Sequence, residues 1–506
     1  MVGIIAELGC GVGCYTAGVN RYWVGIDQGS TATKACLLDA RGRVRRVVSH
    51  RVSTRTPASG WVEHDPEELV RSVRRGLNGI LRSVPPAAIG GLGIACQRST
   101  CLFWDAESGR PLTPALSWQD RRAEEFCRGL ARHAPSIARK TGLRLSPHYA
   151  AGKIRWLLDH IPGLRRLAAR GRARFGTLDA FLIFRLSGGA SWSTDPTHAA
   201  RTLLMGLDRL DWDPELLDLF GIPYRALPPI RSSAFPAGEM LIRGSRIRIA
   251  ATVGDQQAAL LGVGCHRRGA MVINYGTGAF AALHTGRRPV RSPGLLTSVA
   301  WSSERGVRYL LEGPVNAAGS ALEWIEGLVG SAGRGAEAPG EFEALPFVIP
   351  ALAGLGAPHW RSEVDAAIFG LRRNTEPAQL RAATLAGIAC RVREIVERMG
   401  RHRKRTDPIM VAGGLLQQKD LLSFQAALLA VPLFHSQSPD ATARGAALLA
   451  GQALEAWDLE AKGAPASPAR RVAPGKRSPA AEDYYRRFCS HLRRLLSPPS
   501  GARLEL

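Results

Sequence analysis

Apolar residues along this chain fall into two rhythms. Short runs that alternate or stay continuous are interleaved with longer stretches in which apolar residues return every three or four positions, so strands and helices are predicted in turn. Residues 23–47 read as three strands joined by two turns, the first turn being Gly29-Ser30-Thr31-Ala32-Thr33. A helix is predicted over 66–83, with Asp65 as N-cap, Pro66 in its first turn, and Glu67 and Glu68 at the positive end of the dipole. Residues 89–96 predict a buried strand. A similar plan opens near Arg246: a strand ending at Asp255, a helix start, then two strands across 269–286 around the turn Gly276-Thr277-Gly278. Beyond it come a long amphipathic helix over 380–399, a strand–Gly413-Gly414–helix unit across 408–433, and a small-residue helix over 440–457. Residues 465–479, rich in Pro, Ala and Arg, read as a mobile linker, and 481–496 as a last helix with Tyr485, Phe488, Leu492 and Leu495 on one face.

This alternation predicts an α/β protein built as two matched lobes with a cleft between them. The expected division is an N-terminal extension at 1–21, a first lobe at 22–245, a second lobe at 246–460, and a linker with terminal helix at 461–506.

Composition narrows the partners. Lys and Arg outnumber Asp and Glu by 67 to 43, giving a formal charge of +24 over 506 residues. Such a field attracts anions, yet a solvated Arg-rich surface accounts for it more simply. No basic run studded with aromatics suggests nucleic acid; the stretch 401–405 reads as an exposed loop. The nine Cys are dispersed, and Cys10 and Cys14 have no second pair or His to complete a zinc set, so reduced thiols in a cytoplasm are expected. No stretch reaches the roughly 18 apolar residues of a membrane span. The first twenty residues lack a basic n-region and contain Glu7, so they read as an appendage rather than a signal peptide.

Candidate chemistry sits where strands end. The Gly29–Thr33 turn offers close backbone approach, N–H groups and hydroxyls, which suits phosphate; an ordinary hydroxyl-rich hairpin fits it too. Asp27, at the end of the preceding strand, can meet phosphate only through a hard cation such as Mg²⁺. Gly276-Thr277-Gly278 repeats the design, and Gly413-Gly414 would let a flat ring such as adenine lie on the backbone. Asp255 suits either an N-cap or a general base that takes a proton from a hydroxyl during attack on phosphorus.

In this order, with Gly60-Trp61-Val62-Glu63-His64-Asp65-Pro66, Trp118-Gln119-Asp120-Arg121-Arg122, Phe175-Gly176-Thr177-Leu178-Asp179 and Gly254-Asp255-Gln256-Gln257, the motifs resemble the FGGY carbohydrate kinases, nearly end to end and most of all the glycerol kinases. The resemblance implies two actin-like (ribonuclease H-like) lobes and ATP-dependent phosphorylation of a polyol, glycerol to glycerol 3-phosphate first among the candidates. Carried over by position, it implies Asp255 as the base; Arg98, Asp255 and Gln256 hydrogen-bonded to substrate, with Trp118 and Phe280 walling its carbon face; and Ser30, Thr31 and Thr33 at the ATP phosphates. Thr277, Gly278, Gly319, Gly414 and Gln418 would line the nucleotide site, and Asp27 with Asp255 would hold Mg²⁺. It also implies a homodimer or homotetramer.

Departures concentrate in the substrate pocket. Glycerol kinases read Arg-Glu where this chain has Arg98-Ser99, and Pro-Tyr-Phe where it has Pro147-His148-Tyr149. Loss of one charged hydrogen bond costs about 1.5–3 kcal/mol. Ser99 and His148 therefore keep a second reading open, a kinase of a larger polyol or a ketose of the erythritol, xylulose or ribulose type. A third is an FGGY-like regulator without catalysis.

Overall fold

The structure, a computed structural model, describes residues 22–330, 342–404, 407, 409–461, 463, 465, 469–472 and 478–497. The expected appendage and the Cys10/Cys14 pair lie outside them. Six strands form the first sheet: β1 (Tyr22–Gln28), β2 (Ala32–Asp39), β3 (Val44–Arg51), β4 (Ile89–Cys96), β5 (Ala234–Ile242) and β6 (Ser245–Gly254), in the order β5-β6-β4-β1-β2-β3. The first three form an antiparallel meander, while β4 runs parallel to β1 and β6 parallel to β4. Helix α1 (Pro66–Ile80) starts as expected, Asp65 accepting from the Glu67 N–H, and packs on β2 and β3.

The second sheet repeats the plan. Its strands are β7 (Met271–Tyr275), β8 (Ala279–Gly286), β9 (Leu296–Ser303), β10 (Gly306–Val315), β11 (Ile409–Ala412), β12 (Leu433–Ser436) and β13 (Ala469–Val472), in the order β9-β10-β8-β7-β11-β12-β13. Again an antiparallel group leads into parallel strands, with β7 beside β11 and β11 beside β12.

Two boundaries differ from expectation. The division at 245/246 falls at the start of β6, which pairs with β4 and β5, so the strand that carries Asp255 at its end belongs to the first sheet. Within the expected linker, Ala469–Val472 pairs antiparallel with β12. Exposed Arg470 and Arg471 suit a sheet edge as well as a linker, because charge on an edge strand discourages further pairing.

Six further helices matter to the site: α2 (Asp255–Gly262), α3 (Gly319–Val329), α4 (Pro377–Met399), α5 (Lys419–Leu429), α6 (Ala441–Ala453) and α7 (Pro479–Leu496). On α7, Tyr485, Phe488 and Leu492 are buried, and Leu495 packs against the core that α7 shares with α4, α5 and the second sheet. Helix α6, which follows β12 of the second sheet, packs on β1, β4 and β6 of the first and against α2. The approach is close: a Cβ on Gly445 would lie 1.8 Å from the Ala258 carbonyl oxygen. Trp23, Val253, Leu260, Val272, Ala282 and Ala446 form one core that joins the two sheets. The strand ends of both sheets therefore face each other across a fixed seam. Among the described residues no helix is long and apolar enough to cross a membrane, and the seven described cysteines are free thiols.

Candidate active site

Asp27 is the second-last residue of β1 and faces Lys34, its partner on β2. Lys34 Nζ lies 3.0 Å from Asp440 Oδ2, and Asp440 caps α6 by accepting from the Ala443 N–H at 2.8 Å. Burial first, then the nearby Asp440 and Asp255, push the Asp27 carboxyl well above its usual range, with Lys34 opposing. Asp27 and Asp440 bring carboxylate oxygens of the kind a hard cation takes, but among the described residues they do not gather with Asp255 into one set of ligand atoms. Beside them opens a cleft of about 450 Å³ lined in part by Asp27, Gln256, Phe280, Gly413 and Gly414.

Asp255 is the first residue of α2, and Gly254 is the N-cap, so the capping role weighed for this carboxylate falls to its neighbour. Its Oδ1 accepts from the Gln256 N–H at 2.7 Å and sits 3.3 Å from Arg98 Nε. Behind it, Gly254 N–H donates to Thr197 Oγ1 at 2.7 Å, and Thr197 donates to Asp195. Asp179, Asp195 and His198 cluster there, but all four carboxylate oxygens already accept from hydroxyl or N–H groups. That cluster is a scaffold under the Asp255 turn.

Arg98, Trp118 and His148 gather on the first-lobe side. The Trp118 and His148 rings meet edge to face at 5.3 Å. Burial, then Lys153, Arg201 and Arg98, hold the His148 imidazole well below its usual range, so it is neutral and offers one donor and one acceptor. Lys153 donates to the Ser117 and His148 carbonyls at 3.0 and 2.9 Å, tying the two walls together. Burial lowers its pKa to about 8.

Three expected contacts differ. Ser99 is buried in the left-handed region (φ 63°), and its hydroxyl donates to the Arg201 carbonyl at 3.1 Å rather than facing a ligand. The Ser30 hydroxyl accepts from Trp118 Nε1 at 2.9 Å and donates to Gln97 at 3.0 Å, so it braces the substrate wall. Thr33 is buried and its hydroxyl lies 2.6 Å from Ser72 on α1, away from the cleft. Thr31 is the exposed hydroxyl of that turn.

On the second lobe the Gly276 carbonyl accepts from Gly319 N–H at 3.0 Å, and the Thr277 carbonyl from Ala318 N–H at 2.9 Å, leaving the Thr277 side chain exposed. A Cβ on Gly278 would lie 2.7 Å from the Val315 carbonyl oxygen. Gly413 (φ 110°) lies so close to β7 that its Cβ would fall 2.2 Å from the Tyr275 carbonyl oxygen, which only Gly permits. Gln418 precedes α5 and accepts from Arg381. Thr31, Thr277, Gly278, Gly319 and Gln418 are not among the walls of the 450 Å³ cleft.

Lys34, Lys153, Arg201, Asp440 and Glu312 went unread in the sequence. Asp440 has an N-cap signal, Glu312 is a lone charge in the run Leu310–Val315, and Lys153 stands two residues before Arg155. Lys34 shows only through hairpin register, and Arg201 had no local signal.

Residues 22–262 match the profile of the FGGY family of carbohydrate kinases, N-terminal domain, and 271–454 that of its C-terminal domain. The chain is 37% identical over 452 residues to a glycerol kinase of Listeria monocytogenes, covering 87% of this chain and 91% of that one. It is 39% identical over 456 residues to a glycerol kinase of Stenotrophomonas maltophilia, covering 86% and 90%. Among solved structures, a Plasmodium falciparum glycerol kinase with ADP superposes with TM-score 0.86 at 28% identity, over 94% of this chain and 98% of that chain. A xyloylose kinase from Brucella ovis shares the fold, with TM-score 0.85 at 22% identity over 94% and 99%.

Proposed function

This chain belongs to the FGGY family of carbohydrate kinases, and from that premise we propose that it transfers the γ-phosphoryl group of ATP to a hydroxyl of a polyol, glycerol before others. The observation that carries this reading is the Arg98–Asp255 pair, 3.3 Å apart, one residue from Gln256, which lines the same cleft as the half-buried Asp27. Arg98 donates to substrate hydroxyls and steers one of them to Asp255. Asp255 is about one-third exposed and takes the hydroxyl proton as the oxygen attacks phosphorus. Gln256 and neutral His148 supply further polar contacts, and Trp118 and Phe280 cover the carbon face. Thr31 on one lobe and Thr277 with Gly278 on the other offer hydroxyl and backbone donors to the phosphates. Gly319, Gly414 and Gln418 flank the nucleotide, whose ring rests on the Gly413-Gly414 turn. Asp27 and Asp255 would hold Mg²⁺, with Asp440 close by. When bound, the cation neutralises charge on the β- and γ-phosphate oxygens.

A second reading, a larger polyol or a ketose, is favoured by one observation: the Ser99 hydroxyl donates to the Arg201 carbonyl and supplies no charged acceptor beside Arg98. A panel of glycerol, tetritols, pentitols and ketoses, assayed for ADP release with product identified by phosphorus NMR, decides between them. Turnover greatest with glycerol is expected. Greatest turnover with a longer substrate favours the second reading, and no product from any substrate, with ATP still bound, points to the regulator.

A further inference from the structure

Arg98 is held from both lobes. Its Nε lies 3.3 Å from Asp255 Oδ1, and its Nη1 lies 3.7 Å from Glu312 Oε2, beyond hydrogen-bond range. Glu312 is the only carboxylate of β10, fully buried, opposite Ala282 and two residues from Pro314, which faces Phe280. It pairs with the Arg201 guanidinium and accepts from Ser298 Oγ on β9, while its Oε2 has no hydrogen-bond partner, nor has Arg98 Nη1. Two buried guanidiniums from the first lobe thus meet two carboxylates, Asp255 on the first-lobe side and Glu312 on the second. The arrangement is neutral as it stands. Without Glu312, Arg98 and Arg201 would face each other with one counter-charge, in a site where an uncompensated charge is costly.

We infer that Glu312 is a positioning residue for phosphoryl transfer: it spreads the Arg98 fork between the two lobes, so that Arg98 presents its donors to the polyol and does not collapse onto Asp255. The assignment rests on the kinase reading above. It also accounts for a short Ser at position 99, since the counter-charge beside Arg98 and Arg201 comes from across the cleft.

The test is a double-mutant cycle on the full chain with glycerol or the best substrate of the panel. Glu312→Gln should raise the polyol KM by about tenfold, the cost of a misplaced charged hydrogen bond, and leave the ATP KM within about twofold. In an Arg98→Gln background the same change should alter kcat/KM by less than about twofold, because residues acting through one another are not additive. Should Glu312→Gln not fold, Glu312→Asp keeps the charge for Arg201 and withdraws the carboxylate from Arg98, and it should show the same selective rise. An unchanged polyol KM, equal rises for polyol and ATP, or a full penalty in the Arg98→Gln background would overturn the assignment. Wild-type turnover is measured first: no product from any substrate removes the kinase reading and this assignment with it, whereas normal wild-type turnover with an unchanged variant removes the assignment alone.

Discussion

Thr33 and Lys34 are neighbours in β2, and strand alternation sends them to opposite faces: Lys34 to Asp440 and the cleft, Thr33 to Ser72 under α1. Thr33→Val keeps the shape and removes one hydroxyl, while Ser72 keeps its bond to the Leu69 carbonyl. The variant should lose about 1 kcal/mol of stability in denaturant titration and keep its ATP KM. A raised ATP KM would return Thr33 to the phosphate site. This is the kind of detail the sequence hides. It shows hydroxyls clustered in a turn, but which of Ser30, Thr31 and Thr33 stays free depends on partners as distant as Trp118 and Ser72. Asp27 and Asp255 were legible because each is a carboxylate closing an apolar run. Glu312 and Arg201 act through a contact between lobes that no local pattern encodes.

At the scale of elements, the strands and helices were legible where periodicity was strong: Ile89–Cys96 matches its expected span, Pro66–Ile80 ends three residues before the expected 83, and Pro479–Leu496 starts two before the expected 481. What failed was assignment to a sheet. β6 and α2 look like the opening of the second half, yet backbone pairing places β6 beside β4, and pairing partners leave no mark in one sequence. The α2–α6 seam yields a test of the joint. Gly445→Ala puts a methyl carbon against the Ala258 carbonyl, so the helices must separate. The expected cost is about 1–3 kcal/mol, seen as a lower thermal midpoint. An unchanged midpoint would mean that the two helices are not packed this closely.

At the scale of the molecule, the core extends across both lobes, and titrations at its edge report on the whole. His284 on β8 is buried beside Trp301, with Arg308, His266 and Arg268 near it, and burial lowers its pKa from 6.5 to about 4. The unfolded chain takes up this proton as pH falls below 6.5 and the folded one only near 4. Stability is therefore complete above 6.5 and declines through that window. Between pH 7 and 5 wild type should lose about 2 kcal/mol more than His284→Gln in denaturant unfolding. Parallel losses would mean that the ring titrates normally. In the proposed transfer one carboxylate takes the hydroxyl proton. Asp255→Asn, assayed for phosphorylation of the preferred polyol and for ATP affinity by calorimetry, should show turnover reduced to background with ATP bound nearly as in wild type. Retained turnover would contradict it.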